Sequence, residues 1–258
     1  FGQQGRREAQ KLLERNAQDG DRLLGAFNIP MPHWLDFFCY TMFVDRDGKF
    51  QLGMLSTSAF KPLAASMGPM LKEEAFHLGT GFNGLRRIVK AGVLPLDLLQ
   101  RYINKWVSTA HDLFGVDASS SAHWAYVWGI KGRWDERNKL GSGIEVDKET
   151  LNEEARGHYH NEIAREVEKL NKYMPKDAAK LYVPHENFNR NIGVTKKQNH
   201  NTDGSKFEGS DEEWKTYITN NLPTKDDEES LKEFFKQEWI ENKPMSTRQI
   251  ESGIGATA

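Results

Sequence analysis

The feature that most constrains this chain is a stretch of helical periodicity that carries two ionisable side chains on its apolar face. In Glu74-Ala-Phe-His77 the acid and the imidazole are three residues apart, which places both on one face of a helix. The residues at helical steps from Glu74 are mostly apolar: Met67, Met70, Leu71, Leu78 and Gly81. A carboxylate within an apolar stripe must be paired, protonated or bound to a metal ion. The pattern therefore predicts a buried helix that carries a polar site.

The Glu-x-x-His spacing has more than one interpretation. It is the inward-pointing unit of carboxylate-bridged di-metal centres in four-helix bundles. However, a chain with 37 acidic residues and 8 histidines contains about one such match by chance. The alternatives are a Glu74–His77 pair that is satisfied within the core, or a segment that lies nearer the surface than its periodicity indicates.

A second candidate ligand precedes this helix. Residues 33–44 are strongly apolar, and the spacing of Thr41 and Asp45 favours a buried helix with both side chains on one face. Asp36 does not share that face closely. Two antiparallel helices, one with a carboxylate and the next with Glu-x-x-His, supply half of a di-metal cage. The alternative is that Asp45 is a helix-end acid in the Asp-Arg-Asp-Gly turn at 45–48, where we expect the helix to end.

Composition excludes several classes of protein. The 258 residues are 38% hydrophobic, so a folded core is expected, and the net charge of −2 provides no basic surface for nucleic acid. No apolar run approaches the roughly 20 residues of a membrane helix. Cys39 is the single cysteine and is expected in the core, which excludes an iron–sulfur cluster on this chain. No glycine-rich nucleotide loop is present, so we expect no flavin or nicotinamide site. The sequence predicts a cytoplasmic protein, and its start at Phe1 predicts that upstream residues are absent.

Periodicity and turn residues predict a mainly helical chain. Helices are expected at residues 4–16, 33–44, 57–78, 82–91, 96–114, 148–174, 212–220 and 226–241. Pro62 and Pro69 are expected to interrupt the helix at 57–78, because each removes a backbone hydrogen bond. Residues 116–146 are expected to be irregular with a short strand at 125–130, and residues 184–212 to form a loop. We expect two regions, a helical bundle at 1–115 and a helical and irregular region at 116–258.

The remaining polar groups are interpreted as structural. His158 and His160 lie roughly 200° apart around a helix, so they cannot coordinate the same metal ion. His158 stands four residues from both Glu154 and Glu162, which indicates a solvated ion-pair stripe. The other histidines considered show no metal-type spacing: His111, His123, His185 and His200. A basic group is expected on a solvated helix face, with contact to an anionic substrate as the alternative: Arg86, Arg87 and Lys90.

Residues 21–93, with the run Met70-Leu-Lys-Glu-Glu-Ala-Phe-His-Leu-Gly-Thr-Gly81, closely resemble the benzoyl-CoA 2,3-epoxidases. That family is the oxygenase component of the aerobic benzoyl-CoA pathway of bacteria. The resemblance continues through the Trp-rich middle of the chain and through Val183-Pro-His-Glu-Asn-Phe-Asn189. Most of the chain therefore resembles the later part of such a protein, and residues 1–115 resemble the second half of its four-helix bundle.

The resemblance implies a mainly α, ferritin-like bundle with a helical and irregular C-terminal extension. It also implies a centre of two iron ions that activates dioxygen to epoxidise the ring of benzoyl-CoA or a similar aryl-CoA. Electrons would come from NADPH through a separate reductase that carries flavin and iron–sulfur clusters. Neither nucleic acid nor a membrane is an expected partner.

The family pattern is a carboxylate helix followed by a Glu-x-x-His helix, used twice. Asp45 matches the second carboxylate, and Glu74 and His77 match the second Glu-x-x-His, whereas the first set has no counterpart in this sequence. The resemblance thus implies that half of the ligands lie on this segment, and no catalytic residue beyond them. Glu74 would bridge the metals, while His77 and Asp45 would be terminal ligands of one metal. Phe38, Phe76 and nearby methionines are expected to exclude water from the site.

Other functions remain open at this point. One is a related di-iron oxygenase that acts on a different acyl-CoA, such as phenylacetyl-CoA. Another is a ferritin-like protein that binds or stores iron and has no organic substrate, and a third is a helical scaffold without metal. The expected wall of phenylalanine and methionine, together with the cover at 116–146, favours a substrate pocket.

Overall fold

The computed structural model describes residues 2–16, 20, 24–136 and 149–234. The helices in these ranges are α1 (Gly2–Leu13), α2 (Trp34–Cys39), α3 (Asp45–Leu55), α4 (Lys61–Ala91), α5 (Leu96–Leu113), α6 (Ser120–Val127), α7 (Leu151–Asn171), α8 (Asp211–Asn221) and α9 (Lys225–Phe234). A π-helical turn at Tyr40–Val44 joins α2 to α3. Over the same ranges the backbone forms no β-strand beyond the isolated bridge between His200 and Lys206. The prediction of a mainly α, ferritin-like fold is confirmed. None of the described helices is both long and apolar enough to cross a membrane.

The chain divides into two compact units, Phe1–Pro223 and Thr224–Ala258. The first unit contains α1 to α8 and the second contains α9. Helix α9 begins with a reciprocal cap, in which the Thr224 hydroxyl accepts a hydrogen bond from the Asp227 amide and the Asp227 carboxylate accepts one from the Thr224 amide. The predicted helix at 226–241 is thus found as far as residue 234, and its remainder lies outside the described residues. The expected boundary between residues 115 and 116 stays a prediction.

Helix α4 has 31 residues and is continuous, whereas the sequence predicts a break between residues 78 and 82. Pro62 lies in the first turn, where a backbone N–H has no helical partner to lose. Pro69 lies inside the helix and removes one backbone hydrogen bond, yet the helix continues because α4 packs along both α2 and α3. Gly92 ends the helix with φ +63°, a conformation that glycine adopts without strain.

The helical segment that precedes α4 also continues further than its sequence predicts. We expected an end at Asp47 and Gly48, whereas α3 extends to Leu55. An Asp-Gly pair disfavours helix by only about 1–2 kcal/mol in total. Burial of the apolar side chains that follow outweighs this cost, and those buried side chains are Phe50, Leu52 and Met54.

Helices α5 and α7 provide much of the core of the first unit. The predicted apolar stripe of α7 is confirmed, since its members are buried: Leu151, Ala155, Tyr159, Ile163, Val167 and Leu170. Met174, the last residue of the predicted stripe, is also buried but follows the end of the helix. The Tyr159 ring contacts the rings of Phe50 and Phe114, with centroids 6.2 and 5.3 Å apart. These contacts join α3, the end of α5 and α7 in one aromatic cluster.

The predicted strand at 125–130 is wrong, because α6 includes residues 125–127 and a turn follows at residues 128–130. The Ser119 hydroxyl accepts a hydrogen bond from the Ala122 amide and so caps the start of α6. Gly129, with φ +64°, follows the helix. A serine cap in a Ser-rich sequence therefore outweighed the β-preference of the aromatic residues. Residues 137–146 of the predicted irregular segment lie outside the described part of the chain.

Candidate metal centre

Three side chains proposed as ligands from the sequence lie together in the structure. Asp45 stands at the start of α3, and Glu74 and His77 stand one turn apart in the middle of α4. One potential ligand atom from each residue lies within 4.8 Å of the other two. Among the described residues, this is the one group of three or more His, Cys, Asp or Glu side chains that is close enough to hold a metal ion. That these residues bind a metal stays a prediction.

The potential ligand atoms of these three residues are spaced for a shared cation and are too far apart to form hydrogen bonds with one another. His77 Nδ1 lies 3.7 Å from Asp45 Oδ2 and 3.7 Å from Glu74 Oε2, which is too long for a hydrogen bond. Glu74 Oε2 is buried and has no hydrogen-bond partner within the described residues. A buried carboxylate oxygen without a partner is costly, and a divalent cation would satisfy it. Carboxylate oxygens with an imidazole nitrogen, and no thiolate, suit iron or manganese.

The π-helical turn at Tyr40–Val44 sets the direction in which Asp45 points. The Asp45 amide donates its hydrogen bond to the Tyr40 carbonyl, five residues earlier rather than four. The wider turn changes the angular position of every later side chain relative to α2. π-Helical turns are rare and are frequent at functional sites. The regular helix that we expected from the spacing of Thr41 and Asp45 therefore differs from the observed backbone.

A small residue in α4 allows the helix to approach this turn closely. A Cβ atom built on Gly81 would lie 2.5 Å from the Met42 amide nitrogen and 2.7 Å from Thr41 Oγ1. Any larger residue at position 81 would therefore push α4 away from the backbone that leads into Asp45. The absence of a side chain at Gly81 helps to bring Glu74 and His77 within reach of Asp45.

The pKa values of the acidic groups at the site are raised, because these groups are partly buried and lie close together. The pKa of Asp45 is raised to about 7, first by burial and then by the charge of Glu74, while the charge of His77 opposes the rise. Burial likewise raises the pKa of Glu74, again opposed by His77. The pKa of the Tyr40 hydroxyl is also raised, first by burial and then by the charges of Asp45 and Glu74. A positive ion at the site would favour the ionised carboxylates.

The outer side of the site is more open than the sequence predicted. The side chains of Asp45 and Glu74 are 17% and 19% exposed, whereas that of His77 is 47% exposed. Phe38 is half-buried, whereas Phe76 is 75% exposed. The Phe76 ring lies edge-on to that of His77, with centroids 6.4 Å apart, and its expected water-excluding role stays a prediction. Of the neighbouring methionines, Met67 is buried and Met70 is 44% exposed.

A second buried acid, which the sequence does not predict, lies near the site. Asp47 is buried, and its carboxylate accepts a hydrogen bond from Gln51 Nε2 at 3.1 Å. The pKa of Asp47 is raised to about 7, because burial outweighs the Gln51 hydrogen bond and the charge of Lys131, both of which lower it. Lys131 Nζ donates in turn to Gln51 Oε1 and to Asn152 Oδ1. The Asp-Gly pair at 47–48 was a turn signal, so no local signal indicated this burial.

The histidines outside the candidate site differ from their sequence-based interpretation in two respects. Glu162 does not form an ion-pair stripe with His158, because it binds Arg46 and Lys49 of α3. The spacing of His111 and His160 does not predict that they meet, yet their rings stack with centroids 5.4 Å apart. They are not part of any group of three potential ligands within the described residues.

The cysteine and the basic group lie away from the three candidate ligands. Cys39 is fully buried, and burial raises the pKa of its thiol, as befits a small core residue. Arg86 and Lys90 lie over the ring of Tyr173, at 5.7 and 4.9 Å from its centroid. They therefore make cation–π contacts with a residue that follows α7.

Comparison with known proteins gives two related findings. A family model described as "Phenylacetic acid catabolic protein" matches residues 2–194. The chain is also similar to "Benzoyl-CoA oxygenase component B" of Aromatoleum evansii, with 36% identity over 271 residues. This match covers 88% of the chain and 57% of the relative, so the chain spans little more than half the length of the relative.

Proposed function

Because the chain belongs to the phenylacetic acid catabolic protein family, we propose that Asp45, Glu74 and His77 hold iron in an oxygenase that acts on an aryl-CoA. The observation that carries this proposal is the convergence of three potential ligands around a buried carboxylate oxygen that lacks a hydrogen-bond partner. Exposed acids commonly cluster without binding a metal, whereas a buried and unsatisfied one requires a partner.

The roles proposed for the three residues follow from their chemistry and position. Glu74 would be the bridging ligand, because its carboxylate extends from α4 to the backbone of α3 at Gly48. His77 and Asp45 would be terminal ligands of the same iron. Iron held by these residues would supply the activation of dioxygen. A di-iron centre in a four-helix bundle takes six ligand residues, so these three are half of a set.

The finer proposal is epoxidation of the benzoyl-CoA ring at the 2,3-position. It is supported by the name of the similar oxygenase component, and the word "component" in that name indicates that the relative works with further components. Electrons would accordingly come from NADPH through a separate reductase. Phenylacetyl-CoA is the second candidate substrate, favoured by the description of the family. Oxygen consumption with each thioester in turn, together with mass analysis of the product, distinguishes the two.

The test of the metal centre uses substitutions that keep the side chain polar. Glu74→Gln and His77→Asn remove the charge or the ligand atom, and we expect bound iron to fall to half of the parental value or less. Glu73→Gln is the matched control, since Glu73 is the preceding residue and is exposed. It should retain iron and change the free energy of unfolding by less than about 0.5 kcal/mol. Parental iron content in Glu74→Gln and His77→Asn would refute the assignment.

A further inference from the structure

Gly48 lies one turn after Asp45 in α3, and its backbone faces the carboxylate of Glu74. A Cβ atom built on Gly48 would lie 3.2 Å from Glu74 Oε1, 3.5 Å from Cδ and 3.9 Å from Oε2. These are the three nearest atoms outside the local backbone of α3, and all belong to one carboxylate. Gly48 is thus the point at which the α3 backbone contacts the central ligand of the proposed metal centre.

The conformation of the backbone does not explain a glycine at this position. Gly48 lies inside a regular helix and is not among the glycines with positive φ. Glycine inside a helix is less favourable than alanine, because it loses more conformational freedom on folding. Alanine would therefore make α3 itself more stable. The reason for glycine must lie in what a methyl group would meet.

We propose that Gly48 is a positioning residue for Glu74, an inference that rests on the proposed metal centre. The absence of a side chain lets Oε1 lie against α3 while Oε2 turns towards His77 Nδ1, 3.7 Å away. A methyl group 3.2 Å from Oε1 is closer than ordinary van der Waals contact, so the carboxylate would shift by a few tenths of an ångström. Metal ligands tolerate little displacement, because coordination distances are fixed within about 0.2 Å.

Two other helical glycines have different surroundings from Gly48. A Cβ on Gly81 would meet the Met42 backbone and the Thr41 hydroxyl, so Gly81 serves the packing of two helices. A Cβ on Gly157, inside α7, would meet nothing within 4 Å. Gly157→Ala is therefore a matched control, because it changes helix preference in the same way and touches no other group.

The experiment compares the parent protein, Gly48→Ala and Gly157→Ala. Each metal-free protein is melted while far-UV circular dichroism is recorded, and each is then titrated with Fe(II) alone under anaerobic conditions. We expect neither substitution to lower the melting temperature of the metal-free protein. Only Gly48→Ala should weaken Fe(II) binding, by about tenfold or more, as is typical when the groups that orient a ligand are changed.

A second pair of variants tests the direction of the effect. Glu74→Asp shortens the side chain by one methylene and draws the carboxylate away from α3. Glu74→Asp should therefore weaken Fe(II) binding less in the Gly48→Ala background than in the parent. The reason is that the methyl group added at position 48 no longer pushes against the shortened carboxylate side chain. Purely additive losses would overturn the inference, since the two positions would then act independently.

The remaining outcomes separate this inference from the proposed function. Parental Fe(II) affinity in Gly48→Ala would overturn the positioning role and leave the metal centre intact. A lower melting temperature of metal-free Gly48→Ala would also overturn it, because the methyl group would then be disturbing helix packing. A parent protein that binds no Fe(II) would overturn both the positioning role and the proposed function.

Discussion

Replacing Asp45 with asparagine should stabilise the metal-free protein at neutral and alkaline pH. Asp45 is ionised at a cost, since burial and the nearby charge of Glu74 raise its pKa from 3.8 to about 7. A tenfold change in proton affinity is worth about 1.4 kcal/mol, so ionising Asp45 costs the folded protein on the order of 4 kcal/mol more than the unfolded chain. Asparagine has almost the same size and carries no charge, so the variant avoids this cost.

The sign of the pH dependence follows from where each state holds its proton. The unfolded chain releases the Asp45 proton near pH 4, whereas the folded protein retains it until about pH 7. The free energy of unfolding should therefore fall as pH rises between these values, by up to about 1.4 kcal/mol per pH unit for this group. It should level off above about pH 7. The buried acid Asp47 contributes a fall in the same direction, and that contribution persists in Asp45→Asn.

The assay is urea unfolding of metal-free protein at pH 5, 6, 7 and 8 with a chelator present. Because Glu74 titrates alongside Asp45, we expect the advantage of Asp45→Asn to grow by about 1 kcal/mol per pH unit from pH 5 to 7 and then stay constant. Asp177→Asn, at an exposed loop position, is the control and should follow the parent. If the parent and Asp45→Asn curves run parallel across this range, the reasoning about the buried charge is refuted.

Two further predictions concern the packing around the site, and urea unfolding measures both. Gly84→Ala should cost about 1–3 kcal/mol, because a Cβ there would overlap the ring of Phe38, whereas Gly79→Ala on the same helix meets nothing within 4 Å and should be neutral or stabilising. Equal effects of these two substitutions would contradict the close packing of α2 on α4. Asp36→Ala should cost about 2–4 kcal/mol, because it leaves the buried indole N–H of Trp106 without its acceptor at 2.8 Å. A cost below about 1 kcal/mol would show that the indole finds another partner.

The convergence of the three candidate ligands was accessible from the sequence because it rests on helical spacing. Glu74 and His77 share a helix, and their three-residue separation fixes their relation whatever surrounds them. Asp45 required one further step, namely that the preceding apolar helix packs beside α4. Hydrophobic periodicity supported that step, and the structure brings Asp45 to the same point. Helical spacing and the pattern of apolar residues were together sufficient to predict that these three side chains lie close to one another.

The features that the sequence did not predict depend on contacts between distant segments. The Asp-Gly pair at 47–48 is a local turn signal, and only the burial of later residues of α3 keeps it helical. Pro69 is a local break signal, and only packing along α2 and α3 keeps α4 continuous. The π-helical turn before Asp45 has no residue signature that distinguishes it from an α-helix. In each case the tertiary structure overrode a weak local preference.

The cations nearest to Asp45 in sequence are engaged elsewhere, and this explains how the site can remain acidic within a stable fold. Arg46 Nη1 lies 2.5 Å from Glu162 Oε1, and Lys49 Nζ lies 2.7 Å from Oε2 of the same carboxylate. Both ion pairs join α3 to α7, so they fix the helix that carries Asp45 without neutralising its charge. The raised pKa of Asp45 is the cost of this arrangement in the metal-free protein. A divalent cation that bound Asp45 and Glu74 would displace protons and recover that cost. The position of Asp45 is thus stabilised by ion pairs outside the site, and its charge is left available for a metal.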